Sequence, residues 1–291
     1  MMAGTPITDK TIVDTKGATV GYYEYGDPAG KPVLVFHGTP ACGAGFAFAD
    51  APALDRKLRL LAPDRPGVGR SSRRDSWLVS DYPAMVTSFA DAVGIGRFGV
   101  WGYSGGGPYA VACAAKLGNR VDAAAVASGM GEVGVYAKPA DFEKTDRQML
   151  SLAVKHPAIA RGIMGAAGWL AQRRPKSAMK SFEKQLDPSD RAVAATLGEP
   201  REVMALFTRA FQNGPHGVVA DYASIAHPWG CDMSAVVINV SVWHGTADRM
   251  VPLHHAEQLA ARLPKAKLTT WQGEGHLGTI THVGEILDTF L

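Results

Sequence analysis

Buried strands and amphipathic helices alternate along the first 130 residues. Continuous apolar runs are typical of strands buried on both faces, and four occur here: KPVLVFHG (31–38), LRLLAPD (58–64), RFGVWGYS (97–104) and VDAAAVASG (121–129). Residues 81–95 and 108–118 have helical spacing, with Asp81 placed to cap the first helix and Gly118 closing the second. Upstream, TIVDT and TVGYYEYG alternate with period two and resemble an antiparallel pair. This order predicts a parallel sheet with helices on both faces.

The pattern changes between about residues 131 and 231. Helical spacing dominates in KTDRQMLSLAVKH, AIARGIMGAAGWLAQ and EVMALFTRAFQ, with few strand-like runs between them. The strand pattern resumes in VINVSVWHGTAD (237–248), followed by a helix HHAEQLAARL, a strand KLTTWQG and a final helix HVGEILDTFL. We therefore predict a core domain of residues 1–130 and 232–291, interrupted by a helical cap of residues 131–231.

Composition and charge restrict the class of protein. The chain has 291 residues, 46% of them hydrophobic and 20% charged, which suits one large enzyme domain with an insertion. Its net charge of +3 is spread among interspersed acids and bases, so we expect no nucleic-acid partner. The apolar runs are shorter than the roughly 20 residues of a membrane span. The N-terminus MMAGTPITDKTIVD lacks the pattern of a signal peptide.

The three cysteines carry little information about chemistry. Cys42, Cys113 and Cys231 are odd in number, far apart and without a C-x-x-C spacing, so neither a disulfide framework nor a zinc site is indicated. We expect reduced packing residues in a cytoplasmic protein.

One serine lies where a nucleophile is expected. In an open α/β sheet, ligands bind beyond the carboxyl ends of the strands. Ser104, in GYSGG (102–106), follows a buried strand and precedes a helix, as in a Gly-x-Ser-x-Gly nucleophile elbow. Gly102 and Gly106 lack the Cβ atoms that would clash across such a turn. The Gly105 N–H would donate to an oxyanion, and the helix N-terminus favours negative charge nearby.

The chain resembles the α/β-hydrolase family over nearly its whole length, through five motifs. In family order they are HGTP (37–40), DRPGVGRS (64–71), GYSGGGP (102–108), HGTADRMVP (244–252) and GEGHL (273–277). The resemblance implies an eight-stranded, mostly parallel sheet flanked by helices, with a helical cap inserted after strand six.

The same resemblance implies roles for individual residues. Ser104 would be the nucleophile, His276 the base and Asp248 the acid that orients it, in the family's chain order. Glu132, after strand six, is the second candidate for the acid. The N–H of Thr39, in HGTP, occupies the position of the second oxyanion donor.

Other residues are candidates for pocket or structural roles. Tyr103 is expected near the site because it adjoins the nucleophile. Met130, Trp169 and Trp229 are candidates for an apolar substrate pocket beneath the cap, the alternative being the cap's own core. We expect His37 and His244 to brace loops, and His254 and His255 to be exposed at the start of a helix.

The expected activity is that of a carboxylesterase-type serine hydrolase that cleaves a small to medium apolar ester through an acyl-enzyme, with no metal or organic cofactor. The same triad also serves carbon–carbon hydrolases, perhydrolases and proline iminopeptidases, although HGTPA departs from the iminopeptidase HGGPG. Epoxide hydrolases and haloalkane dehalogenases use an aspartate nucleophile, which Ser104 argues against. A small-molecule receptor on a hydrolase fold is the alternative of another class. The expected partner is a small-molecule substrate; whether a homodimer forms stays open.

Overall fold

Eight strands form a single sheet in the computed structural model, which describes residues 9–291. Residues 1–8, part of the stretch in which we predict no signal peptide, lie outside the described residues. The strands are β1 (Lys10–Val13), β2 (Thr19–Gly26), β3 (Lys31–Phe36), β4 (Leu58–Pro63), β5 (Phe98–Tyr103), β6 (Val121–Ala127), β7 (Val240–Gly245) and β8 (Ala266–Trp271). Their order across the sheet is β1-β2-β4-β3-β5-β6-β7-β8.

The sheet is mostly parallel, as predicted. Strand β2 is antiparallel to β1 and to β4, and the remaining neighbours are parallel. Strands β3, β5 and β6 lie in the middle of the sheet and are almost completely buried, which explains their continuous apolar runs. Because the parallel strands share one direction, the loops after β3, β5, β7 and β8 meet along one edge.

The helices outside the insertion pack on the sheet. They are α1 (Asp50–Asp55), α2 (Tyr82–Ala92), α3 (Gly107–Lys116), α10 (His254–Arg262), α11 (Gly278–Thr281) and α12 (Val283–Leu287). Two details differ from the prediction. The Asp81 carboxylate accepts from the Leu78 N–H of a preceding 3-10 turn instead of capping α2 directly. The last helix stops at Leu287, because Phe290 is buried against β5, where Gly99 has no Cβ to block its ring.

Six helices lie between β6 and β7, and we call them the helical insertion. They are α4 (Lys144–Lys155), α5 (Pro157–Arg173), α6 (Pro175–Glu183), α7 (Pro188–Ala194), α8 (Pro200–Arg209) and α9 (His216–Ile225). Four of them begin with proline, whose fixed φ suits a first helical position. The main apolar core continues from the sheet into α4, α5 and α9 through Met149, Met164 and Tyr222. The division at residues 131 and 231 into separate domains stays a prediction.

Two predictions about the chain as a whole can be compared with the structure. Within residues 9–291, every helix falls short of the length and apolar composition needed to cross a membrane. All three cysteines lie in this part of the chain as free thiols; Cys42 and Cys113 are buried, and Cys231 is partly exposed.

Candidate active site

The turn after β5 holds Ser104 in a strained backbone conformation. Strand β5 ends at Tyr103, and a 3-10 turn of Ser104–Gly106 leads into α3. Ser104 has φ +53°, in the left-handed region that non-glycine residues rarely adopt. A Cβ at Gly102 would lie 2.4 Å from the Gly106 carbonyl oxygen, and one at Gly106 would lie 1.9 Å from that of Phe36. The tight turn therefore requires both glycines.

His276 and Asp248 form a buried hydrogen-bonded pair. Asp248 follows β7 and His276 follows β8, and His276 Nδ1 lies 2.8 Å from Asp248 Oδ2. A carboxylate can only accept, so Nδ1 carries the proton and the neutral ring keeps a free lone pair on Nε2. Asp248 Oδ1 accepts from the N–H groups of Met250 and Val251, both at 2.9 Å. The ring of His276 is thus oriented as a general base requires.

Charge attraction outweighs burial at both members of the pair. Burial alone would lower the pKa of His276, but the charge and hydrogen bond of Asp248 raise it above its ordinary value of 6.5. Burial would raise the pKa of Asp248, and the two histidines, His276 and His244, hold it well below its ordinary range instead. The carboxylate is therefore ionised, and its charge favours the protonated form of His276.

Glu132, the second candidate for the acid, has a different partner. Its side chain is buried, and Oε1 accepts from the backbone N–H of Trp229 at 2.7 Å. The structure therefore brings Asp248 to His276 and holds Glu132 against the segment that follows α9.

Tyr103 connects the serine turn with the histidine loop. Its hydroxyl donates to the His276 carbonyl at 3.4 Å, and the two rings lie 5.3 Å apart. On the other side of Ser104, a Cβ at Gly38 would lie 3.2 Å from the serine Cβ, so Gly38 leaves space beside the hydroxyl. Ser104 is buried, and its carbonyl accepts from the Met130 N–H at 3.1 Å.

The two expected oxyanion donors lie side by side. A Cβ at Gly105 would come within 3.0 Å of the Thr39 backbone nitrogen and 2.6 Å of its hydroxyl. The loop that carries Thr39 is fixed by His37, whose Nδ1 donates to the Gly38 carbonyl at 2.8 Å while Nε2 accepts from the Arg65 N–H at 3.3 Å. His37 therefore has the bracing position that we expected for it.

A buried ion pair that the sequence did not reveal supports the same loop. The Arg65 guanidinium is fully buried; it lies 2.6 Å from Asp221 Oδ2 and donates to the carbonyls of His37 and Gly38 and to the Thr39 hydroxyl. Asp221 belongs to α9, 156 residues further along the chain, and its Oδ1 accepts from the hydroxyl of Tyr109 on α3. Arg65 belongs to the motif DRPGVGRS, but the neighbouring sequence does not indicate that its partner lies in α9.

Asp190, on α7, holds the histidine loop from the insertion. Its carboxylate accepts from the backbone N–H groups of His276, at 2.9 Å, and Leu277, at 2.6 Å. Burial and the adjacent Asp187 raise the pKa of Asp190 to about 7. No sequence signal indicated this contact, because Asp190 reads as an ordinary acid in the first turn of a helix.

The four pocket candidates lie in different surroundings. Tyr103 and Met130 adjoin the Ser104 turn as described above, and Trp229 is completely buried with its ring 6.2 Å from that of Tyr136. Trp169 is instead 59% exposed. A side chain with that exposure does not line an enclosed pocket, so the prediction for Trp169 is wrong: the inner face of α5 is made by Ala160, Met164, Gly168 and Ala171.

One cluster in the described part of the chain has the composition of a metal site. Asp141, His254 and His255 place ligand atoms within 4.8 Å of one another. However, the Gly131 N–H donates to His255 Nδ1 at 3.0 Å, so the neutral ring carries its proton on Nε2, which faces Asp141 and cannot then be a ligand. His255 is fully buried, against our expectation, because α10 turns it toward Gly131 and the Phe142 ring.

Comparison with known proteins identifies the family. Residues 31–283 match the family described as alpha/beta hydrolase fold. The chain belongs to this family. The hydrolase is 27% identical over 278 residues to 2-hydroxymuconate semialdehyde hydrolase of Pseudomonas putida, covering 90% of this chain and 87% of that one. It is 26% identical over 202 residues to haloalkane dehalogenase 2 of Mycobacterium tuberculosis strain H37Rv, a match that spans 66% of each chain, just under two thirds of the relative's length.

Solved structures show the same fold at low sequence identity. The esterase RhEst1 from Rhodococcus superposes on this hydrolase with a TM-score of 0.68 and 19% identity, covering 98% of this chain and 100% of that one. The enol-lactonase from Burkholderia xenovorans gives a TM-score of 0.68 at 17% identity, covering 96% and 97%. At these identities the likeness establishes the fold alone.

Proposed function

We propose that this hydrolase cleaves carboxylic esters with Ser104 as nucleophile, His276 as general base and Asp248 as the acid that orients the base. The observation that carries the proposal is the 2.8 Å hydrogen bond between His276 Nδ1 and Asp248 Oδ2, which leaves the Nε2 lone pair free. Tyr103 joins this histidine loop to the turn that holds Ser104 at φ +53°. A serine hydroxyl needs such a base, because it is a poor nucleophile at neutral pH.

The reaction would proceed through an acyl-enzyme. Ser104 Oγ attacks the ester carbonyl while His276 Nε2 takes its proton, and the N–H groups of Thr39 and Gly105 stabilise the oxyanion. His276 then returns the proton to the leaving alcohol. Water, deprotonated by the same nitrogen, attacks the acyl-enzyme; the bond to Ser104 Oγ breaks, His276 returns the proton to that oxygen, and the acid is released. Each oxyanion donor would contribute roughly 3–4 kcal/mol to the stabilisation of the transition state.

A carbon–carbon hydrolase is the second candidate. The relative from Pseudomonas putida is named 2-hydroxymuconate semialdehyde hydrolase, and the match with it covers 90% of this chain. A dehalogenase reaction is not proposed, despite the relative so named, because this chain has a serine rather than a carboxylate at the elbow.

Ester hydrolysis and active-site labelling together test the proposal. We expect wild type to hydrolyse short-chain p-nitrophenyl esters and to be labelled by a fluorophosphonate, and Ser104→Ala to lose both properties, with the rate falling by at least roughly a thousandfold. Hydrolysis of 2-hydroxymuconate semialdehyde in preference to every ester would favour the second candidate. Absence of labelling and of turnover in folded wild type would contradict both and favour a receptor.

A further inference from the structure

The helical insertion contains a long stretch without acidic residues. Residues 147–182 hold seven Lys and Arg and no Asp or Glu. The whole chain has 30 bases and 27 acids, so the remaining residues carry 23 bases against 27 acids. The small net charge of the protein therefore hides a strongly basic segment, which spans most of α4, all of α5 and most of α6.

The same segment exposes large apolar side chains. On α5, Ile159 is 54% exposed, Ile163 44% and Trp169 59%, and Val154 at the end of α4 is 44% exposed. We call these four residues the apolar stripe. The buried residues of α5 are Ala160, Met164, Gly168 and Ala171. Helix α5 is thus apolar nearly all the way round, a pattern expected of a buried helix, although one side of it faces solvent.

Basic residues lie at both ends of the apolar stripe. Lys155 and His156 precede α5, and Arg173, Arg174 and Lys176 follow or end it, all of them exposed. Helix α5 has 17 residues and is about 26 Å long, so the two basic ends are separated by the length of the stripe. We call these five residues the basic flank.

We propose that the apolar stripe and the basic flank dock this protein on the surface of an anionic phospholipid bilayer. Helices at such surfaces bury an apolar face, rich in Trp and aliphatic residues, at the boundary of head groups and acyl chains while Lys and Arg contact the lipid phosphates. Trp169 and the two isoleucines supply the apolar face, and the flank supplies the cations. The inference does not depend on the chemistry at Ser104.

Other occupants fit this surface less well. A second copy related by a two-fold axis would place the basic flank against or close to itself, which like-charge repulsion disfavours. A nucleic acid would match the charge, but binding to phosphates gives no reason for exposed Ile159, Ile163 and Trp169 between the cations. An anionic bilayer satisfies both the charge and the apolar area.

Vesicle flotation tests the proposal. We expect wild type to float with vesicles of phosphatidylcholine and phosphatidylglycerol, and not with phosphatidylcholine alone. The double variants Ile159→Ser/Ile163→Ser and Arg173→Glu/Arg174→Glu should each reduce binding by about tenfold or more, and added salt should weaken it. Val237→Ser and Lys265→Glu/Lys267→Glu alter exposed residues outside the insertion and should bind like wild type. Circular dichroism and thermal unfolding establish that each variant is folded.

The fluorescence of Trp169 gives an independent measurement. Trp77, Trp101, Trp229 and Trp271 are buried and Trp243 is half-buried, so a blue shift on adding anionic vesicles that is absent in Trp169→Phe would place Trp169 in the lipid boundary. Four outcomes would overturn the proposal: folded wild type that ignores anionic vesicles; full binding by the stripe variant; binding of duplex DNA as strong as binding of vesicles; or a dimer that Ile159→Ser/Ile163→Ser dissociates.

Discussion

Among single residues, His276 depends most on one neighbour. Burial disfavours its charged form, and Asp248, 2.8 Å away, reverses that effect and raises the pKa of His276 above 6.5. A general base must be unprotonated to act, so the raised pKa sets the lower edge of the pH range in which the proposed hydrolase works.

We predict that kcat/KM for a p-nitrophenyl ester falls as pH drops through the pKa of His276, with a midpoint above about 6.5. Asp248→Asn should lower that midpoint, because the charge and hydrogen bond that oppose burial most strongly are lost, and should reduce kcat by roughly 10⁴-fold. Glu132→Gln should leave the midpoint unchanged, since Glu132 bonds the Trp229 backbone. A pH–rate profile for the three proteins measures this; a midpoint that moves with Glu132→Gln and not with Asp248→Asn would reverse the assignment of the acid.

Local sequence context gave the positions of Ser104, His276 and Asp248, because each stands in a short motif after a strand. The sequence ranked Asp248 ahead of Glu132 as the acid, but it could not show which carboxylate contacts the histidine, since both follow strands whose ends meet at one edge. The prediction for Trp169 failed for another reason. Helical periodicity marks α5 as apolar on most sides, so it does not indicate which side faces inward.

Between elements, the buried pair of Arg65 and Asp221 joins α9 to the loop that carries Thr39. Both side chains are almost completely buried, and the pair touches α3 through Tyr109. A buried ion pair adds little to the free energy of unfolding compared with two apolar residues of similar volume in its place. Removing one partner alone, however, leaves an unpaired buried charge.

We predict that Asp221→Ala lowers the free energy of unfolding by roughly 3–5 kcal/mol. The double variant Arg65→Met/Asp221→Leu should lose less than the sum of its single variants, because no charge is left unpaired. Urea unfolding measures both effects, and kcat measured beside KM should show a lower kcat for folded Asp221→Ala, because Thr39 loses its support.

Asp122→Ala, which breaks the exposed pair of Arg97 and Asp122, is the matched control and should cost less than about 1 kcal/mol. An equally small loss in Asp221→Ala would show that the buried pair does not hold the loop.

Periodicity predicted most elements because the central strands are buried on both faces and the helices are amphipathic. The contacts of α7 and α9 with the loops that carry His276 and Thr39 could not be predicted, since Asp190 meets His276, 86 residues away in sequence, only after the whole chain has folded. The end of α12 also depends on a distant contact, that of Phe290 with β5.

For the molecule as a whole, several buried groups give stability a defined dependence on pH. Burial raises the pKa of Asp64 to about 7, and burial together with the neighbouring Asp187 raises the pKa of Asp190 to about 7. The stability that these two carboxyls contribute is therefore lost as pH rises through about 7. The raised pKa of His276 acts in the same direction. The lowered pKa values of His37 and His255 act oppositely, and their contribution is complete above about pH 6.5.

We therefore predict that the free energy of unfolding decreases between about pH 6.5 and about pH 8. Asp64→Asn and Asp190→Asn should each be less stable at the lower pH, because an amide offers one acceptor oxygen instead of two, and each should show a smaller decrease. Urea unfolding at both pH values measures the slope, with exposed Asp75→Asn as control. An unchanged slope in both variants would contradict the assignment.

Helices α7 and α9 of the insertion are fixed to the loops that carry His276 and Thr39. If these two helices swung outward, they would withdraw Asp190 from the histidine loop and Asp221 from Thr39, and both loops of the proposed active site would lose a buried partner. Gly217 of α9 also sits so close to Gly67 that a single methyl group would not fit between them. Helices α5 and α6 pack on α8 and on each other, and α5 packs on α4 and α9 as well. Helices α7 and α9 thus hold the histidine loop and the Thr39 loop in place, and we expect a path for substrate through the insertion to leave both helices unmoved.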